Sequence, residues 1–269
     1  MDRALTPHVD VRRERTRLRF LNASSSRVFN LGFTDGRSFA VIGTDGGLLP
    51  APHTAKRVQL SPGERAEIVV ELSQGDTTVL RSFEQTLGTD FLNHRWAGGN
   101  DRFDLLKLRA GPDLEPSPDL PARLVRLPEP DLSAVDTTRS FRVSSRTINR
   151  LSMDMNRIDA RVRPGSVEIW EVEGIAVPHN LHLHGVQFRI LDVDGTPPDP
   201  LHVPLPLPEA RGRRSDGAVP GDPGRGGHTS GRQPQPPPMS PTSRRIARAI
   251  SIRRGPSSGD RIRMFRAKG

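Results

Sequence analysis

Three of the eight histidines of this 269-residue chain fall within six residues, His179-Asn180-Leu181-His182-Leu183-His184. Imidazole is the commonest metal-ligating side chain and suits copper and zinc. On a β-strand, residues two apart face the same way. His182 and His184 then point together, and His179, at the start of the strand, aims elsewhere. One short strand of this kind can serve two neighbouring metal centres. The rival reading is three histidines on a strand that holds no metal.

The elements that must position this stretch read as strands. Gly165-Ser166-Val167-Glu168-Ile169-Trp170-Glu171-Val172 precedes it, and Gly185-Val186-Gln187-Phe188-Arg189-Ile190-Leu191 follows. Upstream, Leu18 and Phe20 alternate with Arg17 and Arg19, the pattern of a half-buried strand. Strands are also expected over Phe39 to Ile42, Ala66 to Leu72 and Phe103 to Leu108. Turn signals separate them at Thr34-Asp35-Gly36-Arg37 and Pro62-Gly63-Glu64. Asp45-Gly46-Gly47 reads as another turn, because a phosphate loop needs a strand–loop–helix setting. Short apolar runs at this spacing predict an all-β sandwich.

These motifs, with Arg17-Leu18-Arg19-Phe20-Leu21-Asn22-Ala23-Ser24 and Ile148 to Asp159, resemble the three-domain multicopper oxidases. That group contains bacterial laccases, bilirubin oxidase and cuprous oxidases. Its histidine segment runs roughly H-P-x-H-x-H-G-x-x-F; Asn180 departs from the usual residue at a position that is not a ligand. The resemblance implies cupredoxin-like Greek-key β-sandwiches, with copper as cofactor. Residues 1–110 would be a near-complete middle domain, 111–135 a proline-rich linker, and 136–200 a truncated C-terminal domain. It also implies that His179 ligates a mononuclear blue copper, and that His182 and His184 ligate a trinuclear cluster where O2 is reduced. The reductant would be a phenol, a bilirubin-like molecule or a metal ion. Met153 and Met155 are expected to pack rather than bind copper, and Trp96 and Trp170 to be core or interface residues rather than substrate contacts.

The chain contains no cysteine. A blue copper site takes a thiolate with two histidines and a weak axial ligand. The family's H-C-H segment does not follow His184, and no second H-x-H pair exists: His8, His53, His94, His202 and His228 stand alone. The expected product is a family fragment that does not complete the oxidase cycle by itself. The alternatives are a non-enzymatic copper or zinc binder, and a nucleic-acid-associated protein working through its basic end.

That basic end is residues 201–269. It holds fourteen basic and four acidic groups, so the net +9 arises there, and residues 1–200 are near neutral. It also carries 11 of 26 prolines and 10 of 25 glycines, with Phe265 its one aromatic. Such a segment buries too little apolar surface to offset the entropy of ordering. Disorder is expected, apart from a short helix near Arg244 to Arg254. The missing aromatics argue against specific single-strand recognition. The Arg/Pro/Gly/Ser bias, with almost no Lys, also fits GC-rich DNA read in a wrong frame, since the resemblance fades near Pro200.

The residues Met1 to His8 lack the apolar core of a signal peptide, which leaves the cytoplasm as the default location. No apolar run approaches the roughly 18 residues of a membrane span. Oligomeric state is not legible. Resequencing the locus and translating its flanks in all frames tests the frameshift: H-C-H codons downstream in another frame are expected, and their absence makes the tail a genuine segment.

Overall fold

Between His8 and Glu115 short apolar runs separated by turn residues form strands. The computed structural model describes residues 7–45, 47–87, 90–127, 129, 131–144, 146–163, 165–175, 179–183, 188–198, 248–252 and 261–266. The first half is built from β1 (His8–Arg13), β2 (Arg15–Leu21), β3 (Phe29–Phe33), β4 (Phe39–Thr44), β5 (Gly47–Ala55), β6 (Val58–Leu60), β7 (Arg65–Glu71), β8 (Thr77–Ser82), the short helix α1 (Phe91–Trp96) and β9 (Phe103–Glu115). Two sheets result, in the orders β1-β9-β8-β3-β6 and β2-β7-β4-β5.

The core lies between these sheets. Ala66, Ile68 and Val70 of β7 are buried and meet Leu31, Phe33, Val58, Leu60, Leu80 and Leu108 of the other sheet. Burying a side chain of this size contributes about 2 kcal/mol. The expected turns form. Gly36 takes φ 74° after β3, and Gly63 takes φ 85° in the turn Ser61–Glu64, where the Ser61 N–H donates to Glu64 Oε2 at 2.6 Å. Buried Asn22 ties this turn to its neighbours, donating from Nδ2 to the carbonyls of Arg27 (2.7 Å) and Leu60 (2.8 Å).

Strand β9 runs past residue 110, through Pro112 to Glu115, with a register break against β1 that tolerates the missing N–H. The proline-rich segment beyond it is pinned to the first sandwich. Arg15 donates to the carbonyls of Ser117 (2.9 Å) and Pro118 (2.7 Å) and pairs with Asp119 (2.8 Å) and Glu71 (2.7 Å).

The second half contains a 3-10 turn (Leu132–Ala134), β10 (Thr137–Ser144), β11 (Thr147–Ile148), β12 (Leu151–Ser152), β13 (Glu168–Ile175), β14 (His179–Leu183), β15 (Phe188–Val193), β16 (Arg248–Ile252) and β17 (Arg261–Arg266). One sheet has the order β12-β11-β10-β13-β17-β15, and β14 pairs with β16. Apart from α1 and the 3-10 turn, the described elements are strands, in sheets consistent with cupredoxin-like sandwiches.

Two expectations need correction. The segment near Arg244 to Arg254 is not helical where it is described; it contributes β16. Arg248-Ala249-Ile250-Ser251-Ile252 and Arg261-Ile262-Arg263-Met264 alternate with period two, which a helix cannot use. Strand β17 lies between β13 and β15, with Ile262 opposite both Val172 and Val193. The other residues of 201–269 lie outside the described residues. Finally, Met153 and Met155 are 83% and 84% exposed, and Trp96 is 74% exposed on α1, so these three do not pack into a core of the described residues. Trp170 does pack, 4.6 Å from Phe141 between ring centroids.

At the start of β13 sits a buried charge. Glu168 is 2% exposed, and its carboxylate accepts from Arg139 Nε (2.8 Å) and Nη2 (3.2 Å), Trp170 Nε1 (2.8 Å) and Ser166 Oγ (3.3 Å). Arg139 also donates to the Arg161 carbonyl at 2.9 Å, which ties down the loop before β13. The Arg139 bonds hold the Glu168 carboxyl below its ordinary range; burial opposes them, and the Trp170 and Ser166 bonds assist. A depressed carboxyl contributes stability that is complete above its unfolded value, about 4.3, and is lost as pH falls through the lower folded value. Glu168→Gln is expected to cost about 3 kcal/mol at neutral pH by stranding Arg139, and to flatten the acid limb of stability. Melting followed by circular dichroism down to about pH 3 checks this; an unchanged acid limb would remove the pair from the stability account.

Candidate metal centre

Strand β14 carries His179 and His182. Its Leu181 and Leu183 pack against the cluster of Val172, Phe188 and Ile190. Strand alternation therefore puts position 182 on the face turned away from that cluster, and position 179 in phase with it. His179 and His182 both lie within β14. His184, expected to share the face of His182, lies outside the described residues.

The partner strand adds no ligand. Ala249 stands opposite His182, and Ile252 stands opposite His179. Among the described residues no group of three or more His, Cys, Asp or Glu side chains is placed to hold a metal ion. His8 and His53 lie on β1 and β5 of the first sandwich. His94 sits in α1, its Nε2 3.0 Å from Asn100 Oδ1 and its ring against Gly99. His202 and His228 lie outside the described residues.

The donor set does not fit the copper centres that the histidine pattern suggests. A blue copper site takes a thiolate, and the chain has no cysteine. The further H-x-H pairs for a trinuclear cluster are absent as well. What remains is the strand that would carry the histidines, and the framework that holds it. Arg139 and Glu168 belong to that framework, and the sequence reading missed them as a pair. A signal was present: Glu168 falls in phase with Trp170 and Val172, and Arg139 in phase with Phe141 and Val143. Two opposite charges on the apolar phase of adjacent strands point to a buried pair.

With fold and site in view, the chain can be set against known proteins. A family model described as multicopper oxidase matches residues 2–94, and a second of that description matches residues 125–219. Together they cover more than half of the chain, which belongs to the multicopper oxidase family. The second match runs beyond Pro200, past the point where the resemblance was expected to fade. The chain is 38% identical over 199 residues to Cell division protein FtsP of Rahnella sp. (strain Y9602), covering 72% of this chain and 42% of that protein. It is 37% identical over 213 residues to Cell division protein FtsP of Escherichia coli (strain K12), covering 77% and 43%. The chain thus spans about two-fifths of the length of the curated relatives it matches.

Solved structures share the fold. A laccase-like multicopper oxidase, CueO, from an Ochrobactrum species superposes with TM-score 0.67 at 22% identity, covering 98% of this chain and 51% of that one. A multicopper oxidase from Pediococcus acidilactici gives 0.66 at 23% identity, covering 97% and 45%.

Because the donor set is incomplete, metal is not expected to support the fold. Dialysis of the full chain against a chelator should leave the melting temperature within about 1 °C of its starting value, since only a ligand bound to the folded state raises it. A larger drop, abolished by His182→Ala, would establish a resident metal on β14.

Proposed function

We propose that this chain acts as a protein-binding module of bacterial cell division, built on a multicopper oxidase frame, and does not turn over as an oxidase on its own residues. The observation that carries this reading is the absence of any cysteine. Without a thiolate the chain cannot assemble a blue copper centre, through which electrons from a phenol, a bilirubin-like molecule or a metal ion would enter. The setting is supported by the relatives named Cell division protein FtsP, at 36–38% identity. Fold and function separate easily on such a frame, since chemistry resides in particular residues rather than in the sandwich. Among the described residues no helix is long and apolar enough to cross a membrane.

A second reading is a weak copper or zinc site on the histidine strand. It is favoured by the H-x-x-H-x-H spacing and by the strand geometry at His179 and His182.

Two measurements on the full chain test the first reading. After incubation with Cu2+, the chain should show no thiolate-to-copper absorption band and no oxygen uptake with a phenolic reductant. A fluorescent fusion should concentrate at the division site of dividing cells. Oxygen consumption above that of free Cu2+, lost in His182→Ala, would overturn the reading, as would a uniform distribution of the fusion throughout division.

A further inference from the structure

The outer face of the five-stranded sheet carries a row of residues set by strand register. Arg57 lies one step before the Leu31–Val58 pair of β3 and β6, Gly32 pairs with Arg81 across β3 and β8, and Arg81 pairs with Asp104 across β8 and β9. Phe83 lies beneath both arginines. Arg57 Cζ stands 3.6 Å from the centre of its ring, and Arg81 Cζ 5.9 Å. Gly32 makes the room: a Cβ at that position would run into Arg57 Nη1 and lie 2.6 Å from the Lys56 carbonyl oxygen. The Arg57 guanidinium is thus seated in a slot between an aromatic face and a bare stretch of backbone.

Its company is unusual for this molecule. Among the described residues the other half-buried arginines, Arg15, Arg27, Arg37, Arg81, Arg109, Arg139, Arg157 and Arg189, all pair with a carboxylate. Arg57 pairs with none. Its Nη1 donates to the Lys56 carbonyl at 2.8 Å, and no acceptor among the described residues takes a bond from Nε or Nη2. Burial pushes its pKa below the ordinary guanidinium value, and no carboxylate compensates. Taking a charge out of water without a partner is unfavourable. A pre-oriented fork with free donors is what carboxylate recognition uses. Arginine held this way is also a frequent anchor of protein interfaces.

We propose that Arg57 is a docking point for a carboxylate presented by an acidic peptide segment of a partner protein. The local charge selects this class. Arg81 is neutralised by Asp104, so the row has one uncompensated positive charge and matches a monoanionic carboxylate better than a doubly charged phosphate. The site lies on the first sandwich. It is independent of the histidine strand and of the division-module reading.

The test is an NMR titration of the 15N-labelled full chain, following the Arg57 Nε–Hε signal assigned with Arg57→Lys. The probe is an acetylated tetraglutamate peptide, with sodium chloride and inorganic phosphate as competing anions. A saturable shift with the peptide alone is expected. Gly32→Ala keeps the charge but displaces the guanidinium, and should abolish the shift while the variant remains folded by circular dichroism. Arg57→Lys, a second variant with little steric demand, should weaken binding by about tenfold through loss of the two-bond fork, read from the peptide's own signals. An absent or unsaturable shift, an equal shift with chloride, stronger binding of phosphate, or full binding by both variants would overturn the proposal.

Discussion

The second sheet is organised around β13, and β13 is fixed at its first residue by a carboxylate held under an arginine. Glu168 is nearly inaccessible, yet each of its bonds comes from a different neighbourhood: Arg139 on β10, Trp170 two residues along β13, and Ser166 in the loop before it. Removing Arg139 would leave the Glu168 charge buried and unpaired, which is far more costly than the pair is stabilising. The pair therefore acts as a register lock. Strands β10 and β13 run parallel from Thr137 opposite Glu168 to Ser144 opposite Ile175, and β17 and then β15 extend the sheet from the far side of β13.

The histidine strand depends on that sheet without belonging to it. Leu181 and Leu183 anchor β14 to the cluster around Val172, and the alternation that buries the leucines sends position 182 the other way. Among the described residues no group of three or more His, Cys, Asp or Glu side chains is placed to hold a metal ion. The chain has no thiolate, and the positions paired with His179 and His182 are Ile252 and Ala249.

The first sandwich shows the same division between frame and surface. Its core is continuous from β3 and β8 across to β4 and β7. Its outer face is where individual side chains are used. Arg15 binds the proline-rich connection along β2, and Arg57 occupies the slot that Gly32 leaves open. Both arginines lie on strands or beside them, held by a rigid sheet rather than a loop.

Much of this was legible in the residues. Period-two alternation at Leu18 and Phe20 and the spacing of short apolar runs pointed to the all-β class, Gly36 and Gly63 marked turns, and the H-x-x-H-x-H run together with the motifs before it pointed to the family. These are local properties, readable because strand period, turn conformation and ligand type are each set within a few residues. Other features were decided only by the folded chain. Arg261–Arg266 joins β13 and β15 from far along the sequence, Arg139 finds Glu168 across a parallel pair, and Phe83 meets Arg57 where Gly32 permits. Met153 and Met155 carry apolar side chains, yet they remain exposed. Each of these depends on which strands become neighbours and in what register, and local periodicity is the same for every alternative pairing.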